Sequence, residues 1–246
     1  MLSSNPRALP SGGVALSSQT PVLLTSGRPF SMAQIFAKKA NLLPLLSLVG
    51  LGVGGVLAVL LVWYYFSPQF TDVGYAPAQP VAYSHQLHAG KLGMDCRYCH
   101  SSVEVSQHAN VPPTQTCMNC HNQIKKESLA LQPVRQSWAT GQAIEWTKVH
   151  HLPDYAHFNH AVHVTTGVGC ETCHGRIDQM AVVQQVQPLS MGWCLECHRQ
   201  PELYLRPPAE VTTMGYVQPA NFVTRNLERI RAEHIVPPTN CSACHY

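Results

Sequence analysis

Five short cysteine motifs constrain this chain more than any other feature of its sequence. All ten cysteines of the 246-residue chain fall into five Cys-x-x-Cys-His units. This spacing is the signature of covalent c-type haem attachment, in which the two thiols bond the haem and the adjacent imidazole binds its iron. The units, numbered one to five below, are Cys96–Cys99–His100, Cys117–Cys120–His121, Cys170–Cys173–His174, Cys194–Cys197–His198 and Cys241–Cys244–His245. They predict five covalently bound haem c groups, with the cysteines as attachment residues and the five histidines as proximal iron ligands.

Zinc sites and disulfides are the alternative uses of so many cysteines. Zinc clusters pair two Cys-x-x-Cys units, so five units would leave one without a partner. Neither zinc nor disulfide bonding needs a histidine after every second cysteine. Haem attachment is therefore favoured over both.

One apolar stretch predicts a membrane anchor. Residues 42–66 carry no charge and exceed the roughly 20 residues that a helix needs to span a bilayer. A secretory signal peptide has a shorter apolar stretch followed by small residues, whereas this one runs into Trp63, Tyr64 and Tyr65. We expect a cytoplasmic tail over 1–40, a transmembrane helix in contact with membrane lipid over 41–66, and a haem domain over 67–246.

The charges predict how the span is oriented. Arg7, Arg28, Lys38 and Lys39 precede it, and the first acidic residue is Asp72. By the positive-inside rule the N-terminus is cytoplasmic and the haem domain lies on the periplasmic side of a bacterial inner membrane. A second possible start, Met32, lies at a more ordinary distance from the span, which suggests the hypothesis that the mature chain begins there.

The overall charge argues against a nucleic-acid partner. The chain has 16 Lys and Arg against 13 Asp and Glu, a balance too even for binding by phosphate neutralisation.

Two matched segments predict an internal repeat. A His-x-x-His pair precedes the first motif at His85 and His88, and a second pair precedes the third motif at His160 and His163. Another haem motif follows shortly after each. We place two dihaem repeats at about 81–140 and 148–205, and the fifth haem at 234–246.

The paired histidines predict distal iron ligands. A haem that only transfers electrons carries a second axial ligand, usually His or Met. Two histidines three residues apart share one helical face but cannot both reach the same iron, so each pair is expected to serve two neighbouring haems. His85, His88, His160 and His163 are the four predicted distal ligands.

The fifth distal ligand stays open at this stage. The candidates are His150, Met180, Met191 and His108. Met191 stands three residues before Cys194, so it would reach a neighbouring haem more easily than its own. His151, His157 and His234 are expected to be bystanders.

The rest of the sequence predicts little regular structure. We expect a multihaem cytochrome c domain that is haem-packed and mostly irregular or helical with few strands, after one N-terminal transmembrane helix. Single helical turns should carry the motifs, an amphipathic helix should cover 226–233, and 181–187 could form a strand.

From about Met32 onward the motifs resemble a known family. They are His-x-x-His-Ala-Gly with Cys-Arg-Tyr-Cys-His, Thr-Cys-Met-Asn-Cys-His, Lys-Val-His-x-Leu-Pro-Asp, Val-Gly-Cys-x-Thr-Cys-His-Gly and Pro-Leu-Ser-Met-Gly-Trp-Cys-x-x-Cys-His-Arg. Together they resemble the pentahaem cytochrome c subunit of alternative complex III, a bacterial membrane quinol oxidoreductase. The resemblance implies an iron–sulfur subunit, multi-span quinol-oxidising subunits and a monohaem cytochrome c as partners. It implies an electron relay rather than a catalyst, and keeps His150, Met180 and Met191 as ligand candidates.

Two other functions compete with the relay. A free-standing membrane-anchored multihaem quinol dehydrogenase could feed a periplasmic reductase, but about 30 residues separate the span from Cys96, far for a haem that works at the membrane surface. A multihaem reductase needs an iron with an open position, and the spare His and Met residues suffice to close every site. The relay is therefore favoured.

Overall fold

The computed structural model describes residues 36–246. The first 35 residues of the predicted tail, and with them the alternative start at Met32, lie outside the described residues. Two compact units divide the chain, one reaching Val53 and the other running from Gly54 to Tyr246.

A long apolar helix occupies the predicted span. Helix α1 (Leu43–Tyr65) has 23 residues and follows a 3-10 turn over Lys38–Leu42. Pro44 lies in its first turn, where a missing backbone N–H removes no helical hydrogen bond. None of its side chains is buried, and within residues 36–246 only Lys38–Tyr65 is long and apolar enough to cross a membrane. The helix thus coincides with the stretch predicted at 41–66.

Short helices provide the ordered structure of the second unit beyond α1. They are α2 (Pro68–Thr71), α3 (Cys96–Cys99), α4 (Thr114–His121), α5 (Gln132–Thr140), α6 (His160–Thr166), α7 (Cys170–His174), α8 (Met191–Arg199) and α9 (Phe222–Ala232). A π-helix covers Gln86–Lys91, and 3-10 turns cover Leu129–Leu131, Ile177–Gln179, Pro201–Leu203, Pro208–Glu210 and Cys241–Ala243. Three motifs lie on single turns as predicted, and the second and fourth lie on longer helices. α9 covers the amphipathic helix predicted at 226–233 except for its last residue, and begins four residues earlier.

The predicted strand over 181–187 is wrong, and no strand forms anywhere in residues 36–246. Only Gln185, in the middle of that segment, forms backbone hydrogen bonds with the turn at Gly74 and Tyr75. Its N–H donates to the Tyr75 carbonyl at 3.0 Å, and its carbonyl accepts from the Gly74 N–H at 2.7 Å. No second extended segment continues this pairing. The single antiparallel bridge in the described chain joins Val168 and Leu205.

The two His-x-x-His segments fold differently. The second lies in α6, whereas the first leads into the π-helix over Gln86–Lys91. Gly90 in that π-helix packs directly on the backbone of Asp178, since a Cβ at this position would lie 2.2 Å from the Asp178 carbonyl oxygen. Only glycine permits so close an approach.

A segment without any haem motif links the first and third motifs. This 206–215 segment donates from Thr212 Oγ1 to the Asp95 carboxylate, directly before the first motif, at 2.9 Å. Its Val211 carbonyl accepts from the Cys170 N–H, at the start of the third motif, also at 2.9 Å. Hydrogen bonds from the 206–215 segment therefore connect the two repeats.

Helix α9 holds the 206–215 segment in place. Asn226 is 5% exposed, and its side-chain amide donates to the Leu205 carbonyl at 2.7 Å. Arg229 donates to the Arg206 carbonyl at 2.8 Å and to the Thr166 carbonyl at 2.7 Å. These bonds satisfy buried carbonyls that no sheet ladder serves.

The buried apolar core of the described chain is small and rich in valine. Its members are Val81, Val103, Val134, Val164, Leu205, Val211 and Phe222. Val103, Val164 and Val211 form one cluster, which brings the loop after the first motif, α6 and the 206–215 segment into contact.

Candidate haem sites

Each motif presents its two cysteines on one side of a helical turn. Residues three apart lie on the same face of a helix, so both thiols can reach one planar group. All ten cysteines are free thiols, and none of them forms a disulfide. The local structure therefore fits thioether attachment at every motif.

Four of the five proximal histidines share one hydrogen-bonding arrangement. In each, Nδ1 donates to a backbone carbonyl, which leaves Nε2 as the free nitrogen that binds a metal. The pairs are His100 with Asn110 at 2.6 Å, His121 with Ile124 at 2.9 Å, His198 with Pro238 at 2.7 Å and His245 with Tyr155 at 2.8 Å. The residues present thus fit axial ligation of haem iron.

The third motif differs from the others. His174 Nδ1 lies 3.3 Å from Nε2 of His150, and the two ring centres are 4.4 Å apart. Burial lowers the pKa of His174 to about 3 and that of His150 to about 4, so both rings are neutral at pH 7, as metal ligation requires.

Two predicted distal ligands face proximal histidines at the separation expected for a shared metal. With metal–nitrogen bonds of about 2 Å, two imidazoles on opposite sides of one ion have ring centres roughly 6 Å apart. The separation is 6.3 Å for His88 and His121, and 6.0 Å for His163 and His198. His88 Nδ1 donates to the Ser84 carbonyl at 2.9 Å and His163 Nδ1 to the Asn159 carbonyl at 2.7 Å, which again leaves Nε2 free. Both pairs fit bis-histidine ligation.

The first members of the two pairs lie among the histidines of the first and third motifs instead. Burial, with a smaller contribution from the neighbouring His100 and His88, lowers the pKa of His85 to about 4. Burial also lowers the pKa of His160, with His108 and His100 nearby, while its Nδ1 donates to the Gln107 carbonyl at 3.0 Å. The histidines close to His174 are His150, His160, His100 and His85. Each His-x-x-His pair therefore has its two rings beside different motifs.

The remaining ligand candidates occupy three different environments. Met180 is half-buried and follows the 3-10 turn that packs on the first pair, where its carbonyl accepts from Gln86 N–H at 2.9 Å. Met191 begins α8 and is 66% exposed. His108 is exposed and lies near His160.

The predicted bystanders lie in environments unlike those of the ligand candidates. His151 and His157 use Nε2, the usual ligating nitrogen, to bond the carbonyls of Lys148 and Tyr246 at 2.9 and 2.7 Å. His234 is exposed.

The cysteines of different motifs meet in a definite order. Burial and the nearby Cys117 thiol raise the pKa of Cys99. The second motif therefore lies next to the first. The Cys96 thiol lies beside Cys170 and, together with burial, raises the pKa of Cys170, which places the first motif next to the third.

The same order continues through the last two motifs. Burial raises the pKa of Cys173 to about 12, and Cys197 and Cys194 of the fourth motif add to this shift. Cys194 in turn has Cys244 of the fifth motif as its neighbour. The spatial order of the motifs is therefore second, first, third, fourth and fifth.

Two aromatic residues at the site were missed by the sequence interpretation. Tyr83 stacks on His88, with ring centres 4.4 Å apart, and Phe158 packs on His163 at the same separation. Burial, together with the nearby Cys99 and Cys117 thiols, raises the pKa of Tyr83 above its ordinary range. The signal was present in the sequence, because each aromatic residue stands two positions before the first histidine of its pair.

Comparison with known proteins agrees with this geometry. Residues 81–137 match the family model of cytochrome c7 and related cytochrome c. The chain is 30% identical over 123 residues to the multihaem cytochrome c subunit of a menaquinone reductase from Nitratidesulfovibrio vulgaris. That alignment covers 50% of this chain and 56% of the relative, so the chain spans little more than half of the relative's length. The chain contains a multihaem cytochrome c domain, mostly helical and irregular, which binds c-type haem covalently.

Proposed function

We propose that this chain is a membrane-anchored pentahaem c-type cytochrome that relays electrons within a quinol-oxidising membrane complex toward a periplasmic acceptor. When bound, each haem supplies an iron that takes up and releases one electron. The chain contributes attachment, axial ligation and burial, and holds the five motifs in a fixed order. Its relative is a subunit of a menaquinone reductase, which supports a role beside a quinone site.

The order of the motifs is the observation that carries the proposal. The cysteines of neighbouring motifs lie near each other in the order second, first, third, fourth and fifth. A chain that keeps all five attachment sites adjacent offers a continuous path with two separate ends. An enzyme built around one reactive haem does not need such a path.

The axial ligands follow from the same contacts. We assign His88 to the second motif and His163 to the fourth, since each faces the proximal histidine of that motif. His85 and His160 are assigned to the first and third motifs, whose histidines they approach.

Met191 is the favoured candidate for the fifth iron. It begins the helix that carries Cys194, and Cys194 adjoins Cys244 of the fifth motif. Met191→Ala should then remove the weak long-wavelength absorption band typical of methionine-ligated ferric haem, while His150→Ala should leave that band in place. If Met191→Ala leaves the spectrum unchanged, His150, Met180 and His108 become the candidates.

The apolar helix and the resemblance to alternative complex III define the expected surroundings. We propose that α1 anchors the chain in the cytoplasmic membrane, with the N-terminus cytoplasmic and the haem domain periplasmic. The expected partners are an iron–sulfur subunit, multi-span quinol-oxidising subunits and a monohaem cytochrome c.

Purification from membranes in mild detergent tests the proposal. The chain should carry five haems by intact mass, co-purify with multi-span and iron–sulfur subunits, and be reduced by quinol only within that assembly. A chain that runs alone and is reduced directly by quinol would instead be the free-standing dehydrogenase. Carbon monoxide binding to the reduced protein would indicate an open iron and a reductase.

A further inference from the structure

One arrangement recurs around the two His-x-x-His pairs. Tyr83 lies edge-on to His85 at 4.8 Å and 86°, and stacks on His88 at 4.4 Å and 20°. Phe158 lies edge-on to His160 at 4.8 Å and 85°, and packs on His163 at 4.4 Å and 31°. The centre-to-centre distances agree between the repeats although one pair lies in a π-helix and the other in α6.

The hydrogen bonds of the second histidine in each pair recur as well. His88 Nδ1 donates to the carbonyl of Ser84, and His163 Nδ1 donates to that of Asn159, four residues earlier in both cases. Each ring is therefore held at its Nδ1 edge by a carbonyl and on one face by an aromatic ring. Two such contacts leave the imidazole little freedom to rotate about the bond that its Nε2 would make to a metal.

The ring planes that result differ between the two sites. The planes of His88 and His121 are inclined by 70°, and those of His163 and His198 by 39°. The angle between two axial imidazoles determines the g-values of a low-spin ferric haem, so the two sites should be distinguishable by spectroscopy.

We propose that Tyr83 and Phe158 are positioning residues that fix the planes of the axial rings His88 and His163. This inference rests on the proposed ligand roles of His88 and His163.

The test uses the haem-loaded, detergent-purified protein and low-temperature electron paramagnetic resonance. Tyr83→Leu should shift the g-values of one low-spin haem, and Phe158→Leu those of a different one. Tyr83→Phe is the matched control, because it keeps the stacking ring and should therefore leave the g-values in place.

Several outcomes would overturn the inference. Unchanged g-values in both leucine variants would refute positioning. If a leucine variant fails to load five haems, Phe158→Tyr and Tyr83→Phe decide, since both should retain the native g-values and a shift in either refutes the stacking role. His88→Ala and His163→Ala test the ligand roles separately from the positioning roles of Tyr83 and Phe158. If neither variant changes the spin state or ligand field of a haem, the ligand assignment fails.

Discussion

Replacing Arg206 with methionine should loosen the junction between the first and third motifs. The Arg206 side chain is 9% exposed, donates to the Thr213 carbonyl at 2.8 Å and to Glu171 at 3.3 Å, and lies 4.8 Å from the centre of the Tyr216 ring. Glu171 is the residue directly after Cys170. Methionine retains much of the aliphatic length, so the change removes charge and hydrogen bonds more than packing.

The expected cost follows from these contacts. The partly buried Thr213 carbonyl loses its donor, which costs about 1 kcal/mol. Loss of the Arg206 partner at Glu171 adds about 1–2 kcal/mol rather than more, since Glu171 keeps the Gly215 amide as donor and Arg176 at 3.9 Å, and 21% of its side chain is exposed. Loss of the cation–π contact with Tyr216 adds about 0.5–1 kcal/mol. We expect Arg206→Met to lower the free energy of unfolding by about 2.5–4 kcal/mol in total.

A double-mutant cycle tests the reasoning. Guanidinium chloride unfolding of the haem-loaded protein, followed by circular dichroism, would compare Arg206→Met, Glu171→Gln and the double variant at equal haem content. The double variant should cost about 1–2 kcal/mol less than the sum of the single changes. Arg225→Met, at an exposed position in the middle of α9, should change stability by less than about 0.5 kcal/mol. Additive costs within about 0.5 kcal/mol would refute an Arg206–Glu171 pairing at this junction.

Three further predictions follow from the described residues. The Arg97 guanidinium lowers the pKa of Asp95 to about 2, so the stabilisation it gives is complete above the usual carboxyl range and is lost as the pH falls toward 2. Asp95→Asn should therefore unfold more easily than the native protein at pH 6, with the difference in midpoint shrinking between about pH 4 and 2; a difference independent of pH would contradict this. Gly90→Ala places a Cβ 2.2 Å from the Asp178 carbonyl oxygen and should destabilise the protein by about 1–3 kcal/mol in thermal unfolding, whereas Gly192→Ala, in open space on α8, should be neutral or slightly stabilising. His88→Ala should abolish the low-spin paramagnetic resonance signal with the larger g anisotropy, because its ring is nearly perpendicular to that of His121, while His163→Ala should remove a less anisotropic one.

Local signals in the sequence were sufficient for the elements and for the outline of the sites. The motifs lie on helical turns, α1 coincides with the predicted span, and α9 covers all but the last residue of the predicted amphipathic helix. These features depend on spacing and apolar periodicity within a few residues of one another. The ligand roles of His85, His88, His160 and His163 remain predictions, although the ring separations fit two of them.

Features that depend on distant contacts could not be predicted in this way. Residues 181–187 alternate like a strand, but a strand needs a partner, and Gln185 instead bonds one turn at Tyr75 and is itself 1% exposed. The π-helix at Gln86–Lys91 depends on Gly90 lying against Asp178, 88 residues away in the sequence. Local propensity carries no information about either contact.

The spatial order of the motifs is the feature that the sequence could least predict, because it departs from their order along the chain. The first motif lies between the second and the third, so the second is at one end of the succession although the first comes earlier in the chain. This arrangement requires the repeats to meet at Cys96 and Cys170, and the 206–215 segment bonds the chain beside both cysteines through Thr212 and Val211. That segment falls between the fourth and fifth motifs and contains no cysteine or histidine, so neither the haem motifs nor the paired histidines point to it. We infer that a stretch without a haem motif sets the separation of the two repeats, and that changes there should alter electron transfer between the repeats while leaving every attachment site intact.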